Sequence, residues 1–473
     1  MRLQPLKILS EQEIRSIHEA SCDILEACGV ATGSRRMLEF LKKKGLPVDE
    51  EKQVVRFPRS VIEDAIAMCP AKFDVYDREG KLAFTLGDGN PAPAAGHNAV
   101  FWLDWDTGKV RASTVEDVEI FASICEQLPN IKMVGVPVMP QNVPDARLSL
   151  LYGVKACIEN TRKPIFFSTD NPNIHTAVIS MLSEAFAGNI KERVYGIGQI
   201  SPTSPLSWEK GALEAIMDSA GTGVPITILP EPNTGVSCPY TLAGLLVMNN
   251  AECLSGIAMI QLLAPGSKVI YGTSWTTTDM RNGAALVGSA ETSACRIAGV
   301  QIARFYRIPC HTTAPNSDNH AHDEQNGWEK MLSMFCAVGA GADLIVNCGM
   351  FATGLTCSHE QLVMDDEISG MALRVFSGIE IGPETIAAGV IKRVGPGGLY
   401  LQEEHTLQRL HAGEFYRTTV STNGPFSIWE SAGCRDAAVL ARERARNLSR
   451  QKTASLDTKR RARLAEIIQN FVL

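Results

Sequence analysis

Apolar residues recur at helical spacing near the start of the chain. Between Glu11 and Cys28 they occupy Ile14, Ile17, Ile24 and Leu25, one face of a helix, with Ser10 ahead of them as an N-cap. Pro58 to Met68 reads as a second helix. Phe73–Tyr76 and Leu82–Leu86 flank Asp77–Gly80 and predict a small hairpin; Val100–Trp105 and Lys109–Ala112 predict another about Asp106, Thr107 and Gly108. The stretch Gly87–Gly96, rich in Gly, Pro and Ala, reads as a loop.

From about residue 114 the pattern becomes an alternation. Short apolar runs stand at Met133–Val138, Pro164–Thr169, Val194–Ile200, Val224–Leu229, Lys268–Gly272, Ile308–Thr312 and Leu344–Cys348. Helix-length stretches separate most of them: Ala146–Glu159, Asn173–Phe186, Trp208–Ser219, Leu242–Leu263, Ser289–Phe305 and Trp328–Val338. Strand–helix units repeated every ~30–40 residues mean parallel strands joined by crossover helices. Seven strands are visible, and Gly398–Leu401, after a helical insertion from Asp365 to Arg393, supplies an eighth. Eight such units close a barrel. The expected fold is therefore α/β, a (β/α)8 TIM barrel over 114–410. A helical and hairpin extension covers 1–113 before it, and a charged helical extension covers 411–473 after it.

Composition narrows the function classes. A chain of 473 residues with 45% hydrophobic and 21% charged residues has enough apolar material for a large core, which excludes wholesale disorder. A net charge of −7 argues against a general nucleic-acid binder. Met1 to Ser10 has no apolar stretch of signal-peptide length. The apolar run Leu242–Pro265 is interrupted by Asn249, Asn250, Glu252 and Gln261, so it reads as a core helix and not a membrane span. Thirteen scattered cysteines with no CxxC pair suit reduced thiols in a cytoplasmic protein.

Common cofactor and nucleophile signatures are missing. There is no Walker A sequence, HExxH or GxSxG, and Gly196-Ile197-Gly198 lacks the third glycine of a dinucleotide turn. Gly395-Pro396-Gly397-Gly398 reads as a tight turn or an anion cradle. In a barrel the chemistry gathers in the loops after the strands, and those loops are polar or aromatic here. They hold Gln199 to Pro205, Glu231 to Gly235, Thr273 to Arg281, Thr313 to Asp323, Gly349 to Phe351, and Glu403 to Thr406. A zinc site would draw on Cys310, His311, His320 and His322, with Cys348, Cys357 and His359 further on; no pair has i, i+4 spacing. Hydrogen-bonding or solvated histidines are the other reading.

Several segments, in order, resemble the trimethylamine methyltransferase superfamily. They are Tyr240-Thr241-Leu242-Ala243-Gly244, Asn250-Ala251-Glu252, Gln261 to Gly266, Asp279 to Gly283 and Ser289-Ala290-Glu291. Asp323-Glu324-Gln325 with Glu329, Ser358 to Val363, and Gly395 to Gly398 followed by His405-Thr406 complete the set, which spans about residues 85 to 440. The resemblance implies a (β/α)8 barrel that moves a methyl group from an amine to the cobalt of a separate corrinoid protein. Archaeal trimethylamine enzymes of the family carry pyrrolysine after the sixth of these strands, whereas Thr313 to Asp323 holds ordinary residues. The chain thus resembles the non-pyrrolysine branch, which demethylates quaternary amines. Glycine betaine is the first expectation, followed by proline betaine, carnitine or γ-butyrobetaine.

A quaternary ammonium that loses a methyl group leaves as a neutral tertiary amine without proton transfer. Such a protein needs chiefly to position its reactants. Asn316, His320 and His405 are the expected positioning residues, and Phe101, Gln199, Glu231, Trp275, Asp279, Arg281, Glu291, His311 and Phe351 the expected substrate contacts. Trp275, Phe351 and Phe101 would offer aromatic faces to the trimethylammonium head, as would Tyr195 and Phe167 unless these two pack in the core. Glu231 or Asp279 would be its anion. Donors to a substrate carboxylate would come from Arg281, His311, Asn316, His320, His322 or His405, unless Arg281 pairs with Asp279 or Glu291. His97 reads as a surface histidine near the mouth. No resident metal is expected; cobalamin would arrive on the corrinoid partner, and the chain itself is expected to form a homo-oligomer. A zinc-dependent barrel hydrolase or lyase and a non-catalytic betaine-binding barrel are the alternatives.

Overall fold

The computed structural model describes residues 4–451 and 454–471. Residues 1–3, 452–453 and 472–473, which fall in the expected terminal extensions, lie outside the described residues. Eight parallel strands close into a barrel in chain order: β1 (Ala92–Ala95), β2 (Met133–Gly135), β3 (Ile165–Ser168), β4 (Gly196–Ile200), β5 (Ile226–Ile228), β6 (Val269–Thr273), β7 (Cys310–Thr313) and β8 (Leu344–Cys348). Each is followed by a helix: α1 (Val115–Gln127), α2 (Ser149–Asn160), α3 (Pro172–Ala185), α4 (Lys210–Ser219), α5 (Leu242–Leu263), α6 (Ala290–Tyr306), α7 (Glu324–Ala340) and α8 (His359–Phe376).

The seven apolar runs are strands, but the eighth strand is not Gly398–Leu401. That stretch is exposed and ends in a 3-10 turn over Tyr400–Gln402. The barrel closes instead through Ala92–Ala95, inside the segment read as a loop, which pairs with both β8 and β2. This strand holds three alanines and a proline, so it lacks the β-branched signature of its neighbours. Pro93 donates nothing to the ladder, yet its carbonyl still accepts from the Lys132 amide at 2.7 Å. The barrel therefore starts before residue 114, and its last helix ends at Phe376, well before residue 410.

The two ends of the barrel are closed differently. At the N-terminal end the expected hairpin, Phe73–Tyr76 with Leu82–Leu86, acts as a plug. Its Phe73, Val75 and Leu86 pack with Ala94, Met133, Phe166, Ile197, Ile270, Leu344 and Val346 inside the barrel. The alternate residues of the strands face the helices and join the larger core, to which Val134, Ile165, Tyr195, Ile226, Val269 and Cys310 belong. Helix α5 meets the length and apolarity of a membrane-crossing helix, but 78% of its most apolar window is buried within the fold. The first helix, Glu11–Ala27, is opened by a capping box between Ser10 and Glu13 and packs along α5.

Candidate active site

Along the barrel axis the interior changes from apolar to polar. Toward the strand C-termini the inward positions become Ser168, Gln199, Ser274 and Thr313, and these line a cavity of about 490 Å³. Asp170 and Ser201 extend the wall after β3 and β4, and Glu231 and Asn233 after β5. His97 and Asn98 follow β1, while Met350, Thr353 and Gly354 come from the loop after β8. A hairpin of Thr277–Asp279 and Ala284–Leu286 contributes Ala285 and Val287 to the rim.

Asn347 reaches the cavity through a bulge. Strict alternation along β8 would put it with Ile345 on the helix side, but the pairing with β1 shifts register between Val346 and Cys348. Asn347 adopts φ 131°, a backbone conformation costly for any side chain. In return its amide Nδ2 donates to Asn316 Oδ1 at 2.9 Å, and its Oδ1 meets His97 Nδ1 at 3.0 Å. Asn316 passes the network on to the Thr313 carbonyl at 3.1 Å and is held by Ser333, whose hydroxyl accepts from its backbone N–H at 2.9 Å. Asn98 donates to the Ser168 carbonyl at 3.2 Å.

Buried charges outside the cavity hold its loops. Lys330 on α7 and Asp365 on α8 are fully buried and 2.8 Å apart. Lys330 also donates to the carbonyls of Pro315 and Met350, and Asp365 accepts from the Gly349 amide at 2.7 Å, so one ion pair fixes both the Asn316 and Met350 loops. Asp318 accepts from the amides of Val287 and Gly288, each at 2.9 Å, and from the Thr353 hydroxyl at 3.1 Å, joining the rim hairpin to the loop after β8.

The cavity's electrostatics are set by two carboxyls and a neutral imidazole. Glu231 and Asp170 line a half-open cavity and stay accessible to water through its mouth, with the protein packed behind them. Burial raises the Glu231 carboxyl to about 7; a hydrogen bond from Ser274 partly opposes the rise and the charge of Asp170 adds to it. Asp170 is also raised by burial, against a hydrogen bond from the Ser201 backbone. Burial lowers His97, with Asn347 and Gln199 pulling the other way. Below it His311 is fully buried, its ring 5.4 Å from Phe166 and 6.5 Å from His97 between centroids, and burial holds it well below the usual range. Among the described residues no lysine, arginine or cysteine lines the cavity.

Of the expected contacts, the structure brings Gln199, Glu231 and Asn316 into this cavity and places His311 beneath it. The aromatic candidates lie elsewhere. Trp275 is 2% exposed and packs against Gly299 of α6, on the helix side. Phe351 is buried against His322 at 4.9 Å between ring centroids. Phe101 is exposed on an outer sheet beside Thr356. Tyr195 stacks on Phe186 and Phe167 packs on His175, both in the helix-side core. A loop after a strand turns back over the helices as readily as over the mouth, so its sequence position does not fix which way a ring faces.

The charged candidates are also displaced. Arg281 forms a fork with Asp279 at 2.7 Å with its side chain 90% exposed, and Glu291 is exposed in the first turn of α6. His320 is exposed, and His405 bonds the Glu384 carbonyl in an excursion after α8. The zinc set is dispersed: Cys310 faces the helices, His311 the barrel interior, and His322 lies against Phe351 and Ser358. Among the described residues no three His, Cys, Asp or Glu side chains converge as metal ligands. Asn233 and Ser274 lie in the strand-end loops singled out by sequence but were not among the expected contacts, Asp170, Asn98 and Asn347 were not anticipated, and His97, expected at the surface, is half-buried in the cavity wall. Asp170, two residues beyond β3, was legible from strand-end position alone; Asn347 was not, because a bulge turns it.

Comparison with known proteins agrees with this architecture. The trimethylamine methyltransferase family model matches residues 1–470. A glycine betaine methyltransferase of Desulfitobacterium hafniense is 31% identical over 90% of this chain and 89% of its own. A trimethylamine methyltransferase from Methanosarcina thermophila is 30% identical over 93% of this chain and 92% of its own. The crystal structure of the Methanosarcina barkeri monomethylamine methyltransferase shares the barrel fold. It superposes with a TM-score of 0.55 at 12% identity, covering 99% of this chain and 90% of that one. Fold, order of motifs and extent of match agree: the chain belongs to the trimethylamine methyltransferase family.

Proposed function

We propose that this protein takes a methyl group from a small quaternary amine, with glycine betaine first among the substrates, and passes it to the cobalt of a separate corrinoid protein in the cytosol. The observation that carries the reading is the cavity's charge pattern. Two carboxyls, Asp170 and Glu231, stand among amides and hydroxyls, with His97 the one imidazole and, among the described residues, no lysine or arginine in the lining. Such a wall favours a cation, and in a partly desolvated site the attraction to Glu231 exceeds that in bulk water. The carboxylates take the role first expected of an aromatic cage.

The cobalt supplies the nucleophile that accepts the methyl group. The lining fits an acceptor from outside, since the cavity lies at the strand ends and, among the described residues, no cysteine or lysine lines it to take the methyl itself. This chain's residues bind, orient and exclude water. Glu231 and Asp170 hold the ammonium, and Asn98, Asn316, Asn347 and Gln199 orient the remainder of the substrate. Their amide N–H groups are the donors available to a substrate carboxylate. His97 stays neutral, and the transfer itself needs no proton, because the departing amine is neutral. Preorganisation by the Lys330–Asp365 and Asp318 contacts keeps the donors in place without the substrate.

Glycine betaine leads because a 31% identical relative is a glycine betaine methyltransferase; proline betaine, carnitine and γ-butyrobetaine have the same head group and follow it. The test mixes the protein, a reduced corrinoid protein and a panel of quaternary amines. Loss of the Co(I) absorption matched by an equal amount of tertiary amine is expected. Binding of a betaine without demethylation would favour a non-catalytic betaine-binding barrel, and no binding would end the proposal.

A further inference from the structure

Behind the cavity wall stands a buried arginine that no acid pairs with. Arg296 on α6 is 1% exposed. Among the described residues its guanidinium bonds no carboxylate and gives its donors to neutral oxygens. Nε donates to the Thr313 carbonyl at 2.7 Å, Nη2 to the Val287 carbonyl at 2.9 Å and Nη1 to the Ser293 hydroxyl at 3.2 Å. Burial lowers its basicity to about 10, with Cys336, Cys295 and Asp318 pulling the other way, so it is a cation at neutral pH. Taking a charge out of water is costly, and an apolar side chain of similar volume would fill the same space at less cost.

Both carbonyls belong to residues that line the cavity. Val287 follows the rim hairpin, and its backbone is gripped from two sides. Its carbonyl accepts from Arg296, while its amide and that of Gly288 donate to the Asp318 carboxylate. The carbonyl before it, of Leu286, accepts at 2.7 Å from the hydroxyl of Thr292, one turn ahead of Arg296 on α6. The Thr313 carbonyl is shared between Arg296 Nε and Asn316 Nδ2. Asn316 Oδ1 accepts in turn from Asn347, whose own oxygen faces His97. With one N–H on Thr313 and its oxygen on Asn347, the Asn316 amide has a fixed orientation and one N–H left for a ligand. Without the guanidinium, the Val287 carbonyl would lose its donor and the Thr313 carbonyl would keep Asn316 alone.

We propose that Arg296 is a positioning residue: from behind the wall it fixes the Asn316 amide and the Val287 edge of the cavity, and through them the hold on the carboxylate tail of a zwitterionic substrate. The role rests on the methyltransferase reading above and adds to it a residue that touches no substrate. The Lys330–Asp365 pair ties down whole loops, whereas Arg296 bonds the wall residues directly. The two walls lie across the barrel from each other. Asp170 and Glu231 follow β3 and β5, while Asn316 follows β7 and Asn347 lies on β8. Loss of Arg296 therefore loosens the tail contacts and spares the head contacts. Lysine is no substitute, because an ammonium on a flexible stem cannot address two carbonyls in fixed directions as the planar fork does.

Calorimetric titration of wild type, Arg296→Lys, Asn316→Ala and the double variant tests this with two ligands. One is glycine betaine; the other is tetramethylammonium, which has a quaternary head and no carboxylate. The measured quantity is the preference, the ratio of the two Kd values, because misfolded chain alters the stoichiometry and not the Kd. Each single variant should lower the preference for betaine at least roughly 10-fold, the loss of a hydrogen bond to a charged group. The double variant should lower it no further than the worse single one, since Arg296 acts through Asn316. Should the lysine variant not fold, Ser293→Ala frees one nitrogen of the fork while both carbonyls stay bonded. It should lower the preference about twofold or more. A wild-type preference in Arg296→Lys or in Ser293→Ala, or losses that add in the double variant, would overturn this role and leave the methyltransferase reading standing. A wild type that binds neither ligand would end that reading and this role together.

Discussion

At its N-terminal end the barrel interior is filled by Phe166, Ile197, Ile270 and Leu344 beneath a hairpin plug; at the other end the same strands present Ser168, Gln199, Ser274 and Thr313 to a cavity. The lower end follows the rules of a core: inward residues are apolar, well packed and without strain. The upper end breaks several of them. It gathers two carboxyls raised by burial in one cavity, bends Asn347 into a positive φ and, among the described residues, leaves the buried His311 nitrogens without partners. Departures of this kind cost stability and persist where function requires them. The contrast teaches that one half of the barrel holds the fold and the other is the half free to hold the ligand proposed above.

Substitutions can break that division, and the largest effects should come from the lower half and the helix-side core. Phe166→Ala and Trp275→Ala each empty a packed space and should destabilise the protein by about 3–5 kcal/mol. Denaturant unfolding measures this, while KM for the amine in the folded fraction should stay near wild type. A large KM change for Trp275→Ala with little loss of stability would restore the aromatic cage. In the upper half, Glu231→Gln keeps the shape and removes the charge. With a close charge pair coupled by at least ~1.5 kcal/mol, kcat/KM should fall at least roughly 10-fold while the melting temperature holds or rises.

Asn347→Gly should separate strain from contact. Glycine accepts φ 131° without cost, so stability should change by less than about 1 kcal/mol even though two hydrogen bonds are lost. Activity should fall about tenfold as His97 and Asn316 lose their shared partner. The smallest effect concerns pH. Burial raises Glu252 to about 7 while its carboxylate accepts from the Ser204 hydroxyl at 2.7 Å and the Leu206 amide at 2.8 Å, tying down the loop beyond β4. The folded chain thus holds a proton that the unfolded chain has already released. Its contribution is complete below about 4.5 and fades as pH climbs through about 7. The melting temperature of wild type relative to Glu252→Gln should accordingly decline by a few degrees between pH 5 and 8; a difference independent of pH would remove Glu252 from this role.

How much of this was legible in the sequence follows the same contrast. Strands and helices with apolar periodicity appeared where expected, because burial on one face leaves a pattern that survives in one dimension. The closing strand Ala92–Ala95 did not, since alanine and proline carry no strand signal and its place is set by the gap between β8 and β2. Position at a strand end picked out Gln199, Glu231 and Asn316 for the cavity. It failed for Trp275 and Phe351, which lie just past strands but turn toward the helices, and for Asn347, whose direction depends on a one-residue bulge. The family resemblance named a chemistry, whereas the carboxylate-lined cavity gives that chemistry a physical basis in this chain.

Proton release on ligand binding tests the central claim most directly. If the ammonium of a quaternary amine sits against Glu231, its charge must lower a carboxyl that burial holds at about 7. Calorimetric titration of glycine betaine near pH 7, in buffers of different ionisation enthalpy, should then show a fraction of a proton released per site in wild type. It should show little or none in Glu231→Gln. Binding with no proton release in wild type, or with the same release in both proteins, would contradict the account.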